Sequence, residues 1–290
     1  MSKKYKLLDE CIELNGHKLF QIQALKNFGN VKTNDIGSYV ESEKNLSQYG
    51  NCWVSGNAKV YGNAKVYGNA WICGNAWIFD NAEVSGDAKV SGSAKIFGNV
   101  WIGGYAEVYG NAEIYGVIEV SDDAKIYDDA EVFGNCWVSG KTEVSDKTKV
   151  YGNAWIFDNV KVFGKAKVSG DAELSGYAKI YDNAWIYGKA WIFGDVEVFG
   201  DAWIKDNAKI LGKAKIYGNA EVYGKAKIFG DAEIYGSAKI YGNAEVYGNA
   251  EVYGNAWVYD NAEIFGNAKV YDNAGIYGDA ELSGKAEETK

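Results

Sequence analysis

The stretch GNAKVYGNAKVYGNAWIC, from Gly56 to Cys73, contains three copies of one six-residue pattern and decides the fold. The same pattern continues on both sides of it without insertion or deletion, as 39 consecutive hexapeptides from Gly50 to Ser283. In order, the six positions are turn-1, turn-2, small, outward, aliphatic and rim. A fixed period of this kind is typical of solenoids, in which each repeat packs on its neighbours.

The two turn positions predict a sharp corner every six residues. Turn-1 is Gly in 30 hexapeptides and Asp in the other nine, and turn-2 is Asn in 20 and Asp in eight. Glycine adopts positive φ freely because it has no Cβ, and Asn or Asp tolerates positive φ because its short side chain bonds locally. Turn chemistry therefore explains the many corner aspartates, such as Asp80, Asp122, Asp128 and Asp158, without a calcium site.

Between the corners the residues alternate with a period of two, which is typical of a short strand. The small position is Ala in 31 hexapeptides, and the aliphatic position is Val, Ile or Leu in all 39. These two side chains share one face of the strand, and the residue between them points the opposite way. That outward residue is Lys, Glu or Trp in every hexapeptide except one, where it is Gly275. Because so short a strand cannot bury its apolar side alone, the coils must stack as a parallel β-helix.

The outward and rim positions decide between two and three strands per coil. Among charged outward pairs, those two hexapeptides apart are 8 opposite and 10 like in charge, whereas those three apart are 13 opposite and 7 like. Opposite charges on paired strands are favourable. The 13 rim residues that are not Tyr or Phe also segregate by threes, as 4, 2 and 7. The sequence therefore predicts a triangular β-helix with 18-residue coils, about 13 in number.

One predicted edge is almost entirely aromatic, and we take it as the candidate interaction edge. Its rim residues are interrupted only by Ser169 and Lys205. The aromatic members are Tyr61, Phe79, Phe97, Tyr115, Phe133, Tyr151, Tyr187, Tyr223, Tyr241, Tyr259 and Tyr277.

The two ends of the chain depart from the repeat. Residues 1–49 contain two alternating runs, Cys11 to Leu14 and His17 to Ala24, joined by Asn15-Gly16, which predicts a β-hairpin. We expect this segment, including a turn-rich stretch from Asn27 to Tyr49, to cap the open edge of the first coil. Residues 50–283 form the β-helix, and residues 284–290 form a charged tail.

The hexapeptides resemble those of the hexapeptide-repeat superfamily, whose fold is a left-handed, single-stranded parallel β-helix. Left-handed winding is implied by this resemblance. The segments LFQIQAL (Leu19 to Leu25), GSYVESEKNL (Gly37 to Leu46) and GNCWV (Gly50 to Val54) also resemble a family of bacterial and prophage-encoded proteins. Members of that family are often described as acetyltransferases on fold alone, and the family supplies no site residues to carry over.

Composition limits the chemistry that the chain could perform. The single histidine, His17, excludes a three-histidine zinc site and lies beside the hairpin turn, where a surface role is expected. Hexapeptide acyltransferases need a histidine base near a projecting loop, and the uninterrupted repeats predict no such loop. Four cysteines without CxxC spacing favour ordinary thiols in a reducing, cytoplasmic setting. The sequence predicts no catalytic residue, metal or cofactor.

The expected partners follow from charge and from the exposed aromatic residues. A net charge of −9 argues against nucleic acid, and no apolar run is long enough to span a membrane. All ten tryptophans occupy the outward position, for example Trp53 above Trp71 and Trp185 above Trp203. Aromatic stacking explains such rows, yet exposed apolar surface also marks interaction sites. The hypotheses are a non-enzymatic structural or interaction protein that self-associates, a polysaccharide-binding module and an acyltransferase-like enzyme.

Overall fold

The structure is a computed structural model that describes residues 2–284 and 287–288. The chain divides into two compact units, Met1–Asp146 and Lys147–Lys290. All regular elements of the described residues are β-strands. The prediction of an all-β solenoid is confirmed in each unit.

Most strands of the first unit are only two residues long, because a corner follows every aliphatic position. Its strands are β1 Tyr5–Leu14, β2 His17–Ala24, β3 Ile36–Val40, β4 Trp53–Val54, β5 Lys59–Val60, β6 Lys65–Val66, β7 Trp71–Ile72, β8 Trp77–Ile78, β9 Glu83–Val84, β10 Lys89–Val90, β11 Lys95–Gly98, β12 Trp101–Ile102, β13 Glu107–Val108, β14 Glu113–Gly116, β15 Glu119–Val120, β16 Lys125–Ile126, β17 Glu131–Gly134, β18 Trp137–Val138 and β19 Glu143–Val144.

These strands form three parallel stacks in the first unit. The orders are β3-β5-β8-β11-β14-β17, β4-β7-β10-β13-β16-β19 and β6-β9-β12-β15-β18. Partners are 18 residues apart, as in the pairing of Lys89 with Glu107 and of Val90 with Val108. Three strands per coil and the 18-residue period are therefore confirmed, while the left-handed winding stays a prediction from the resemblance.

An antiparallel hairpin precedes the first stack. β1 pairs with β2 across Asn15 and Gly16, whose φ values are 50° and 83°. β2 then pairs antiparallel with β3, and β3 pairs parallel with β5. The hairpin thus occupies the sheet edge where we expect a cap. One difference is that β3 lies within the stretch expected to be turn-rich.

The coil that begins with β3 is two residues longer than the later coils, so its sequence does not fit a strict six-residue repeat. Val40 pairs with Val60, and Leu46 forms a bridge with Val66, so both separations are 20 residues. Val40 and Leu46 are still six residues apart and fully buried, like the aliphatic positions of later coils. The interruption lies between Leu46 and Val54, where eight residues replace six.

The second unit repeats the same construction. Its strands are β20 Lys149–Val150, β21 Trp155–Ile156, β22 Lys161–Val162, β23 Lys167–Val168, β24 Glu173–Gly176, β25 Lys179–Ile180, β26 Trp185–Ile186, β27 Trp191–Gly194, β28 Glu197–Val198, β29 Trp203–Ile204, β30 Lys209–Gly212, β31 Lys215–Ile216, β32 Glu221–Val222, β33 Lys227–Ile228, β34 Glu233–Ile234, β35 Lys239–Ile240, β36 Glu245–Val246, β37 Glu251–Val252, β38 Trp257–Val258, β39 Glu263–Ile264, β40 Lys269–Val270, β41 Gly275–Ile276, β42 Glu281–Leu282 and β43 Glu287–Glu288.

Three parallel stacks again contain all of these strands. Their orders are β20-β23-β26-β29-β32-β35-β38-β41, β22-β25-β28-β31-β34-β37-β40-β43 and β21-β24-β27-β30-β33-β36-β39-β42. Of the predicted charged tail, Gly284 and the strand Glu287–Glu288 are described. The remaining tail positions lie outside the described residues.

The core of each unit consists of the small and aliphatic positions. Ala112 and Ile114 in the first unit, and Ala220 and Val222 in the second, are 0% exposed. Thr142 and Thr148 also face inward and are fully buried. Branched aliphatic side chains fill the space between the sheets, and alanine allows the chain to turn closely beside them.

The corners have the positive φ angles that the sequence predicts. All nine turn-1 aspartates have φ between 56° and 65°. A carboxylate oxygen of Asp182 also accepts a hydrogen bond from the Gly200 N–H in the next coil, at 3.2 Å. The glycine N–H 18 residues later donates the equivalent bond to each of Asp80, Asp122, Asp158, Asp206 and Asp260. Turn chemistry and this inter-coil bond therefore account for the corner aspartates.

Candidate functional site

The predicted aromatic edge forms a stacked column in the first unit. Neighbouring rings from Tyr61 to Phe133 have centroids 4.8 to 5.2 Å apart and planes within 6° of parallel. This separation equals the strand spacing of about 4.8 Å, so the backbone sets the stacking distance. Tyr61 is only 4% exposed because His17 covers its outer face, with ring centroids 5.0 Å apart.

In the second unit the structure brings four of the predicted residues together. Tyr223, Tyr241, Tyr259 and Tyr277 stack with centroids 4.9 to 5.3 Å apart. Lys205 ends this column, with its Nζ 4.6 Å from the centre of the Tyr223 ring. Tyr187 lies on the other side of Lys205 and contacts Trp185 instead, with centroids 5.1 Å apart. Tyr151 is the rim residue of β20's hexapeptide, separated from Tyr187 by Ser169.

Further columns lie on the other two sheets of the second unit. One runs from Phe163 through Tyr181, Phe199, Tyr217, Tyr235 and Tyr253 to Tyr271, and another contains Phe229, Tyr247 and Phe265. The predicted interaction edge did not include these columns. Their signal was already present, because these rim positions repeat Tyr or Phe at intervals of 18 residues.

Stacking covers the faces of these rings and leaves their edges and hydroxyl groups outward. The Tyr235 hydroxyl donates a hydrogen bond to Glu251 at 3.3 Å, and the Tyr247 hydroxyl donates to Glu263 at 3.2 Å. Burial, together with the nearby Glu251 charge, raises the pKa of Tyr235 well above its usual value. A column interior therefore presents no free ring face on which a planar ligand could stack.

The outward tryptophans, in contrast, expose their indoles on the sheet faces. Trp101 and Trp191 are 38% and 37% exposed, and Trp155 and Trp257 are 48% and 47% exposed. Trp71, Trp77 and Trp185 are half-buried, and Trp53, beneath the cap, is only 2% exposed. The predicted pairings of Trp53 with Trp71 and of Trp185 with Trp203 are confirmed by the strand register.

Some of these indoles lie flat because the neighbouring rim residue is small. The Trp101 Nε1–H donates to the Ser85 hydroxyl at 3.1 Å. A Cβ added to Gly103 would lie 2.5 Å from the Trp101 ring. A small rim residue and a tryptophan on the same sheet face therefore act together to produce a flat aromatic surface.

His17 lies in a cleft of about 680 Å³ beside the first coils, together with Glu41, Lys44, Tyr61 and Asn81. Its Nδ1 is 3.0 Å from a Glu41 oxygen, and the other oxygen of Glu41 accepts the Gly62 N–H at 2.7 Å. Burial acts to raise the pKa of Glu41, but the bonds from His17 and Gly62 outweigh it and lower that pKa. These contacts tie the hairpin to the first coils.

The cysteines and carboxylates form no metal site among the described residues. All four cysteines are free thiols, and no three His, Cys, Asp or Glu side chains converge in residues 2–284. Cys52 and Cys136 are buried at small positions, as expected. Lys4 is 1% exposed and donates to the Cys52 carbonyl at 2.9 Å, and burial lowers its pKa.

Comparison with known proteins found no matching family model and no matching curated protein. No helix able to cross a membrane occurs in the part of the chain that the structure describes.

Proposed function

We propose that this chain is a non-enzymatic interaction protein, whose β-solenoid units associate with further copies of the chain through exposed aromatic side chains. The observation that carries the proposal is the exposure of large apolar groups on flat sheet faces. In the second unit, Trp191 and Phe193 are 37% and 48% exposed, with ring centroids 6.5 Å apart. Adjacent exposed aromatic groups of this kind are enriched at protein interfaces.

The charged side chains support association between like surfaces. Along the second sheet of the first unit, Lys89 and Lys125 lie 3.2 and 3.7 Å from the two oxygens of Glu107. In the second unit, Lys227 and Glu245 are 2.6 Å apart. Because these charges are paired within one chain, faces can approach one another without large repulsion between excess charges. The four free thiols support a reducing compartment, such as the cytoplasm, as the location.

Light scattering at several protein concentrations tests self-association. We expect a mass above 31.7 kDa that rises with concentration. The double variant Trp191→Lys, Phe193→Ser uses residues found at the same positions of other hexapeptides, so the fold should be retained and the mass should fall. Ser237→Asn, which introduces the commonest turn-2 residue, is the control and should associate like the wild type. A mass of 31.7 kDa at every concentration would refute the proposal.

Polysaccharide recognition is a second candidate, and the geometry favours the outward tryptophans over the aromatic column for it. Stacking on a sugar requires an open ring face. Parallel rings about 5 Å apart, such as Tyr241 and Tyr259, cover one another, whereas the outward indoles of Trp155 and Trp257 are 48% and 47% exposed.

A further inference from the structure

Trp257 differs from the other outward tryptophans in what lies over it on the next coil. Trp191 is covered by Lys209, whose Nζ is 5.3 Å from the indole centre, and Trp203 is followed in the sheet by Glu221. Trp257 pairs with Gly275, the one outward position in the repeats that is not Lys, Glu or Trp. The indole is 47% exposed, and no side chain of the next coil lies over it.

The fold does not require glycine at this position. Gly275 is absent from the residues with positive φ, so its backbone conformation is open to any residue. A Cβ built on it would have no atom within 4 Å, whereas most corner glycines would contact the backbone of the next coil. Neither strain nor crowding explains the missing side chain. Its consequence is that no charged side chain lies over Trp257, whereas the comparable cavity at Trp203 is lined by Asp201 and Glu221.

This space is a shallow cavity of about 360 Å³ with an uncharged lining. It is formed by Asn255, Trp257, Tyr259, Asn273, Ala274 and Gly275. The volume lies near the lower end of the usual range for small-molecule sites, which begins at about 300 Å³. The Asn255 amide donates to the Asn273 oxygen at 3.4 Å, which is a long bond and leaves both amides able to bond a ligand.

The lining selects a particular chemistry. An exposed indole favours a flat apolar surface, and neighbouring amide and phenol groups favour hydroxyl groups at the rim of that surface. Because no charged side chain lines the cavity, an ionic ligand would lose hydration without gaining a counter-charge. A hexopyranose ring with equatorial hydroxyl groups combines an apolar C–H face with a polar rim and no charge.

We propose that Trp257, Asn255, Asn273 and Tyr259 form a subsite for a neutral, β-linked hexopyranose chain, kept free of charged groups by Gly275. The sugar's C–H face lies on the Trp257 indole, and its hydroxyl groups bond to the two amides and the Tyr259 hydroxyl. This inference deepens the second candidate function and is independent of self-association.

Isothermal titration of the full chain with cellohexaose, chitohexaose and maltohexaose tests the subsite. We expect roughly millimolar binding of the two β-linked sugars, and weaker binding of the curved α-linked maltohexaose. Gly275→Lys should reduce the affinity at least about tenfold, because a lysine there can cover the indole as Lys209 covers Trp191. Trp257→Ala should reduce it similarly. Trp77→Ala, which removes a half-buried indole with the Lys59 Nζ 5.5 Å from its centre, is the matched control and should bind like the wild type.

Three results would overturn the subsite. They are no detectable binding by the wild type at about 10 mM sugar, equal binding by Gly275→Lys, or an equal loss in Trp77→Ala. Light scattering of the Gly275→Lys variant separates this inference from the proposed association, because the variant should associate as the wild type does. If its mass falls together with sugar binding, Trp257 belongs to the association surface and the subsite is refuted.

Discussion

Replacing Gly92 by alanine tests whether the corner glycines are required by φ alone or also by the close approach of successive coils. Gly92 has a φ of 66°, and a Cβ there would lie 2.6 Å from the Gly110 oxygen and 2.7 Å from its nitrogen. Gly62 has the same φ of 66°, but its added Cβ would lie 3.2 Å from the nearest atom, the Asp80 nitrogen. The two positions differ mainly in crowding.

The expected magnitude separates into a shared cost and an additional one. A left-handed conformation costs a residue with a Cβ about 1–2 kcal/mol. Alanine also restricts the unfolded chain, which stabilises the folded state by about 0.4–1 kcal/mol. Gly62→Ala should therefore lower the free energy of unfolding by about 1 kcal/mol. Gly92→Ala must also move the backbone of Gly110, and overpacking adds about 1–3 kcal/mol. We therefore expect Gly92→Ala to be less stable than Gly62→Ala by about 2 kcal/mol.

Amide hydrogen exchange is the suitable assay, because repeat arrays open locally and a single global midpoint averages many coils. Protection should fall most in the peptides that contain Gly92 and Gly110. Gly92→Asp should lose less protection than Gly92→Ala, because its carboxylate can accept a hydrogen bond from the Gly110 N–H. Asp182 accepts the equivalent bond from the Gly200 N–H. Equal protection in Gly92→Ala and Gly62→Ala would show that coil spacing adapts freely and would refute the crowding argument.

Three further predictions concern the core and the surface charges. Val222→Asp places an unpaired charge at a 0% exposed position and should lower the free energy of unfolding by more than about 4 kcal/mol or cause aggregation. The surface change Lys227→Glu should lower it by less than about 1 kcal/mol. Similar thermal melting of the two variants would contradict the assignment of buried and exposed positions. The raised pKa of Tyr235, caused by burial and then by Glu251, predicts that this contribution to stability is present below pH 10 and is lost as pH rises through the higher folded value. Tyrosinate absorbance should therefore appear later in the folded chain than in urea, and coincident curves would refute the prediction. The hydrogen bond from Lys65 lowers the pKa of Glu83, so an NMR titration should find the carboxyl midpoint below 4.5, and nearer 4.5 in Lys65→Met. The stability that this pair contributes is present above pH 4.5 and is lost as pH falls through the lowered pKa. An unchanged midpoint in Lys65→Met would disprove the pairing.

Much of the architecture was predictable because each repeat has few possible partners. Once Ala and Val or Ile share one face, a two-residue strand can bury them only by stacking. The charges of residues such as Lys89 and Glu107 then identify the coil length, since paired strands place them side by side. The cap was harder to predict, because Val40 and Leu46 keep the six-residue spacing but two additional residues precede Val54.

Local periodicity thus specifies the corners, the buried face and the three strands of each coil, because all three follow from interactions between near neighbours or between residues 18 apart. Which aromatic faces remain open depends instead on how each ring packs in three dimensions. Tyr241 and Tyr259 cover one another, while Trp257 pairs with Gly275, has no side chain over it from the next coil and is 47% exposed. Side-chain rotamers and contacts between neighbouring coils determine that exposure, and neither can be derived from the repeat pattern of the sequence.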